Sequence, residues 1–259
     1  MIFENYEQAV DFISSKFEFN FEETYGLLSF INKLFVQNEN DGRDLVIRFL
    51  EKWDFIDENC KSFFNDIIES YGLYPYVDEN LLKGSSFLRY ELHKSPFLNN
   101  VYLHEEQFEI STALQSDKSV VLSAPTSFGK SLLIEEVVAS KKYKNIVIIQ
   151  PTLALLDETR KKLSKYNDIY KIIVSTSQTP SQEQGNLFLF TGERVVEYNM
   201  FPQIDFFIID EFYKLSLKRD DDRAITLNSA LHRLFKFTNK FYMLGPWLKE
   251  IPIEFMQKY

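Results

Sequence analysis

Cysteine is almost absent from this chain. Cys60 is its one thiol in 259 residues, which excludes an internal disulfide framework and a multi-cysteine zinc cluster. Histidine is nearly as scarce, and His93, His104 and His232 lack metal-ligand spacing, so ordinary polar or core roles are expected of them. No apolar run approaches the ~18 residues that a membrane span needs. The opening residues Met1-Ile2-Phe3-Glu4-Asn5-Tyr6-Glu7 carry neither a basic stretch nor an apolar stretch, so no secretory signal is expected. These scarcities together point to a reducing, cytoplasmic setting with no membrane partner. Positive charge is also in deficit, with 29 Lys and Arg against 38 Asp and Glu.

What is present is an ordinary globular composition, 45% hydrophobic and 26% charged. The charge is divided unevenly. Residues 1–100 carry the whole net charge of −9, and residues 101–259 balance to zero. An acidic first part repels phosphate backbones, so a nucleic-acid surface is expected only in the second part. The acidic part suits a protein partner better. Twenty-five Phe and fourteen Tyr predict a large aromatic core.

Periodicity divides the chain the same way. Tyr6, Ala9/Val10, Ile13 and Phe17 recur at helical spacing, as do Leu27, Phe30/Ile31, Leu34 and Phe35. A third helix is expected after Asp41-Gly42 and a fourth around Phe63–Tyr71, with Gly72 and Pro75 closing the region. Residues 1–80 therefore read as a small all-helical domain, 81–105 as a connector with a short helix inside, and 106–259 as a second domain. In that second part, short β-branched and aromatic runs alternate with helical stretches. The runs are Val120–Leu122, Asn145–Ile149, Lys171–Val174, Leu187–Phe190, Phe206–Ile209 and Phe241–Leu244. Nearly continuous apolar strands predict a mostly parallel sheet covered on both faces, an α/β domain with its ligands beyond the carboxyl ends of the strands.

Two motifs there carry chemistry. Ala124-Pro125-Thr126-Ser127-Phe128-Gly129-Lys130-Ser131 has the spacing of a P-loop, with Ala124 in place of the first glycine. Such a loop wraps phosphate oxygens with backbone N–H groups at a helix start. Gly129 permits close approach, Lys130 reaches the β- and γ-phosphates, and Ser131 is placed to ligate Mg²⁺. Eighty residues after Lys130, Ile208-Ile209-Asp210-Glu211 ends an apolar strand with paired carboxylates. Asp210 is placed to hold Mg²⁺ directly or through its water, and Glu211 to orient and deprotonate the attacking water. Arg160-Lys161-Lys162 reads as a solvated helix face, and Lys218-Arg219 before Asp220-Asp221-Asp222 as a self-balancing charged loop.

With these motifs in order, residues 100–259 resemble the first RecA-like domain of superfamily 2 helicases of the DEAD/DEAH-box type. Asp210-Glu211-Phe212-Tyr213 resembles motif II, Pro151-Thr152-Leu153-Ala154-Leu155 motif Ia, and Thr191-Gly192-Glu193-Arg194-Val195 motif Ib. Tyr242-Met243-Leu244-Gly245-Pro246-Trp247 stands in the place of motif III, and Gln107 in that of an adenine-reading glutamine. The resemblance implies an ATP-dependent helicase or translocase. ATP and Mg²⁺ would be held by Thr126, Ser127, Phe128, Gly129, Lys130, Ser131 and Asp210. A single strand of DNA or RNA would be gripped through phosphates near Pro151, Thr152, Thr191, Gly192 and Arg194. The particular combination is similar to large bacterial helicases of antiviral defence, such as the helicase subunit of Hachiman.

The chain also departs from that family. Motif III normally supplies hydroxyls through Ser-Ala-Thr, and Gly245-Pro246-Trp247 supplies none. Phe212-Tyr213 replaces the usual second half of motif II, so its contact with motif III should differ. The chain stops 12 residues after Trp247, where the family's second RecA-like domain and its arginine finger would follow. Such a finger is worth roughly 10³–10⁵ in rate, so this polypeptide is expected to bind nucleotide better than it hydrolyses it, as a fragment or a split-gene product. The alternative is a nucleotide-binding regulatory module without motor activity. A P-loop kinase is disfavoured by Asp210-Glu211 and the motif Ib run.

Overall fold

The computed structural model describes residues 3–116, 118–216 and 222–246. Two compact units divide the chain between Phe108 and Glu109. The first contains helices α1 (Tyr6–Ser15), α2 (Phe21–Gln37), α3 (Glu39–Leu50), α4 (Lys61–Ser70) and α5 (Ser85–Leu92). Asparagine starts three of them. Asn5 accepts from the Gln8 N–H, Asn20 forms a reciprocal capping box with Glu23, and Asn38 accepts from the Asp41 N–H. Ala9, Ile13, Leu27, Ile31, Leu45, Phe49, Phe64 and Ile68 meet in one aromatic-rich core. Tyr90 of α5 also belongs to that core, so the expected connector contributes to the packing of the first unit.

One expected boundary is displaced. Asp41-Gly42 lies inside α3, which begins at Glu39. Gly42 stands there because Tyr71 packs on it: a Cβ at this position would lie 2.0 Å from the tyrosine oxygen. The Tyr71 hydroxyl donates to the Ile31 carbonyl at 2.8 Å and is fixed by that bond. Gly72, at φ +66°, then reverses the chain after α4, in the left-handed region that favours glycine.

The division between the units falls within α6 (Glu105–Gln115). The second unit carries β1 (Val120–Ser123), α7 (Lys130–Ala139), β2 (Asn145–Ile149), α8 (Leu153–Leu163), β3 (Tyr170–Ile173) and β4 (Gly185–Phe190). There follow α9 (Gly192–Glu197), β5 (Phe206–Asp210), α10 (Asp222–Leu234) and β6 (Phe241–Gly245). The six strands form a sheet in the order β1-β6-β5-β2-β4-β3, with every pairing parallel. All six expected strands are present. Their unbroken apolar runs follow from burial on both faces. Ile146 and Ile148 of β2 and Phe206 and Ile208 of β5 face the core shared with Leu133, Val137 and Leu156 of α7 and α8. The alternating Val147, Ile149, Phe207 and Ile209 face the core shared with Val195, Ala230 and Leu231 of α9 and α10. The result is a RecA-like α/β layer structure whose strand carboxyl ends lie along one edge. Among the described residues no helix is long and apolar enough to cross a membrane.

Candidate nucleotide and strand site

Every motif of the second unit sits at that carboxyl edge. The P-loop follows β1, Pro151-Thr152 follows β2, Thr191-Gly192 follows β4, Asp210-Glu211 ends β5, and Gly245-Pro246 ends β6. Register ties the two central motifs together, since Asp210 pairs with Leu244 of β6 and Ser123 of β1 with Gly245. The Ala124 N–H also donates to the Gly245 carbonyl at 3.1 Å, which holds the start of the P-loop against the end of β6.

The loop itself is a 3-10 turn over Thr126–Phe128 followed by Gly129 at φ +79°. A side chain at that φ would be strained, so the glycine is required by the backbone as well as by any ligand. No side chain caps α7, and its first N–H groups form the kind of helix start that binds anions. The Lys130 ammonium lies on the carbonyls of Ala124 (3.0 Å) and Pro125 (3.1 Å), inside the loop it is expected to serve. Ser131 is exposed at the first turn of α7, and its carbonyl accepts from Lys162 at 3.1 Å.

Asp210 ends β5 and is half-buried. Burial raises its pKa above the usual carboxylate range, and the adjacent Glu211 charge adds to this. A hydrogen bond with Gln150, one from the Glu211 backbone, and the Lys130 charge work the other way. The Lys130 charge is the smallest of these influences. Ser131 and Asp210 offer hard oxygen ligands of the type Mg²⁺ takes, and a Mg²⁺ site of this kind needs only one or two protein ligands beside substrate phosphates.

Glu211 adopts φ +59°, the left-handed region. It precedes a 3-10 turn over Phe212–Leu215, which brings Lys214 back beside it: the Lys214 N–H donates to the Glu211 carbonyl at 3.0 Å, and the two side chains form an ion pair. Phe212 is buried, and its ring lies over Gly245, where a Cβ would come within 2.9 Å of it. Phe212 and Gly245 thus make one close contact between the end of β5 and the end of β6. Trp247 and residues Lys218 to Asp221 of the charged loop lie outside the described residues.

A cleft of about 90 Å³ opens beside Asp210 and is lined by Gln150, Pro151, Thr191, Gly192, Lys214 and Arg223 among others. Thr152 is exposed and caps α8, accepting from the Leu155 N–H at 3.3 Å. Arg194 is half-buried and donates to the Val174 carbonyl at 2.7 Å, so it braces α9 against the end of β3. Gln107, in the first unit, is buried and accepts from the His104 N–H at 3.0 Å, closing the first turn of α6. Arg160 and Lys161 pair with Asp157, and Lys162 with the buried Glu135, so that basic run is engaged within the protein.

Sequence reasoning passed over Gln150 and Lys214. Gln150 is the last polar position between an apolar strand and Pro151, and its carboxamide oxygen is buried without a hydrogen-bond partner. Lys214 had a readable signal, a cation three residues after a carboxylate, the separation of neighbours on one turn.

Residues 104–244, more than half of the chain, match the DEAD/DEAH box helicase family, and the chain belongs to that family. Residues 3–87 match the Anti-bacteriophage protein B N-terminal domain. The chain is 34% identical over 261 residues to Anti-bacteriophage protein B of Escherichia coli (strain K12). That similarity covers 96% of this chain and 35% of the relative, so the chain spans about a third of the relative's length.

Proposed function

We propose that this chain is the nucleotide-binding half of an ATP-dependent helicase or translocase that acts in defence against bacteriophage. Family membership implies ATP use, and the likeness to an anti-bacteriophage protein supports the defence role. The observation that carries the reading is the placement of the Ala124–Ser131 loop and Asp210 at one carboxyl edge, where the loop start and β5 both pair with the end of β6. Lys130 balances the β- and γ-phosphates, while the helix start of α7 and the N–H groups of Thr126 to Ser131 orient them. Ser131 and Asp210 would hold Mg²⁺, which would neutralise charge on the phosphates. Glu211 takes the proton of the attacking water.

A single strand of DNA or RNA is gripped through its phosphates along Pro151, Thr152, Thr191, Gly192 and Arg194, with little dependence on base. The first unit, with the acidic surface, serves contacts to protein. The working place is the cytoplasm. In the full-length protein, Glu211→Gln should leave ATP binding in place and collapse turnover. Hydrolysis at a near wild-type rate would remove Glu211 from the role of base.

A further inference from the structure

Lys214 faces two anions, one of them only prospective. Its ammonium is ion-paired with Glu211, and the same side chain lines the cleft beside Pro151, Thr191 and Gly192. Both members of the pair are about one-third exposed, at 35% and 34%, so the pair is open to a competitor arriving from solvent. The backbone turn fixes residues 211 and 214 relative to one another, but the lysine stem has four rotatable carbons and can move its charge without moving the turn. The cleft's other charged groups are Asp210, Glu193 and Arg223. An entering phosphate would be repelled by the first two and drawn toward the cationic side of the cleft.

We propose that Lys214 is a further strand-phosphate contact, and that the strand and Glu211 compete for its ammonium. The proposal rests on the strand reading of the cleft given above. With Lys214 on Glu211, the carboxylate is engaged and poorly placed to take a proton from water. With Lys214 on a strand phosphate, the carboxylate is released. Strand binding and readiness for hydrolysis are thereby linked through one side chain, and the linkage must be reciprocal. Removing the Glu211 charge therefore tightens the strand.

The test is a cycle of four proteins: this chain unaltered, Lys214→Ala, Glu211→Gln, and the double variant. Affinity for fluorescent oligodeoxythymidylate and oligouridylate is read by anisotropy over a salt series, and folding by thermal melting. Lys214→Ala should weaken binding and reduce the salt slope by about 0.7, one single-strand phosphate contact. Glu211→Gln should tighten binding about twofold to fivefold, the range an exposed ion pair spans. In the Lys214→Ala background, Glu211→Gln should change nothing. Tightening that persists in that background would show Glu211 acting as a bare repelling charge and would overturn the competition. Unchanged affinity in folded Lys214→Ala would overturn the phosphate contact. Failure of the unaltered chain to bind either strand at low salt would instead overturn the strand reading itself, and this proposal with it.

Discussion

Asp210 carries a cost that function explains. Burial raises its pKa, so the folded chain keeps the proton to a higher pH than the unfolded chain does. The stability linked to that proton is fully present below the unfolded value and is lost as pH rises through the folded one. At neutral pH the full cost of the buried charge remains. Asp210→Asn should therefore raise the melting temperature by a few degrees at neutral pH, with the gain shrinking toward acid pH, while Mg²⁺-dependent nucleotide binding weakens. Melting curves across a pH series check the first part and calorimetry the second. A variant less stable than the parent at neutral pH would contradict the assignment. Glu135 shows the opposite sign. Burial raises its pKa, but ion pairs with Lys165 and Lys162 outweigh burial and hold it below the usual range. Its contribution is present above the unfolded value and lost as pH falls through the folded one.

At the scale of elements, Glu135 joins α7 to α8. Lys162 reaches both the Glu135 carboxylate at 3.0 Å and the Ser131 carbonyl at 3.1 Å. The helix capped by Thr152 is thus pinned to the first turn of α7. Glu135→Ala leaves two lysines without their carboxylate and should cost about 1–3 kcal/mol, read as a lower denaturation midpoint with unchanged slope. In the first unit, Gly42→Ala sets two effects against each other. Alanine favours a helix interior by about 1 kcal/mol, but its Cβ would strike the Tyr71 oxygen, and overpacking costs about 1–3 kcal/mol. Net destabilisation is expected. A stabilised Gly42→Ala would mean that Tyr71 moves aside freely despite its bond to Ile31.

Across the whole molecule, the grammar of the second unit was legible because parallel strands buried on both faces read as unbroken apolar runs, as in Ile146–Ile149 and Phe206–Ile209. The turn at Gly129 was legible because backbone geometry restricts what can stand at φ +79°, whereas Glu211, a side chain in the same left-handed region, follows no such rule. Strand order was not legible, since no local pattern says that β6 lies between β1 and β5. Gly42 misled for the same reason: a glycine needed for a contact with Tyr71, distant in sequence, resembles a helix start. Arg194 and Thr152 were legible as types but not as partners, because their bonds run to Val174 and to the helix cap. The uneven charge makes a prediction at this scale. A bound strand cross-linked by ultraviolet light should mark peptides around residues 150–152 and 191–194 and leave residues 3–87 unmarked. Cross-links confined to the first unit would move the strand site there, against its own electrostatics.

The central claim is that the loop from Ala124 to Ser131 binds ATP together with Asp210. Titration calorimetry of this chain with ATP, with and without Mg²⁺, against folded Lys130→Ala tests it directly. Saturable, Mg²⁺-strengthened binding by the unaltered chain, abolished by Lys130→Ala with the melting temperature preserved, is the expected result. Equal ATP affinity in the two proteins would contradict it.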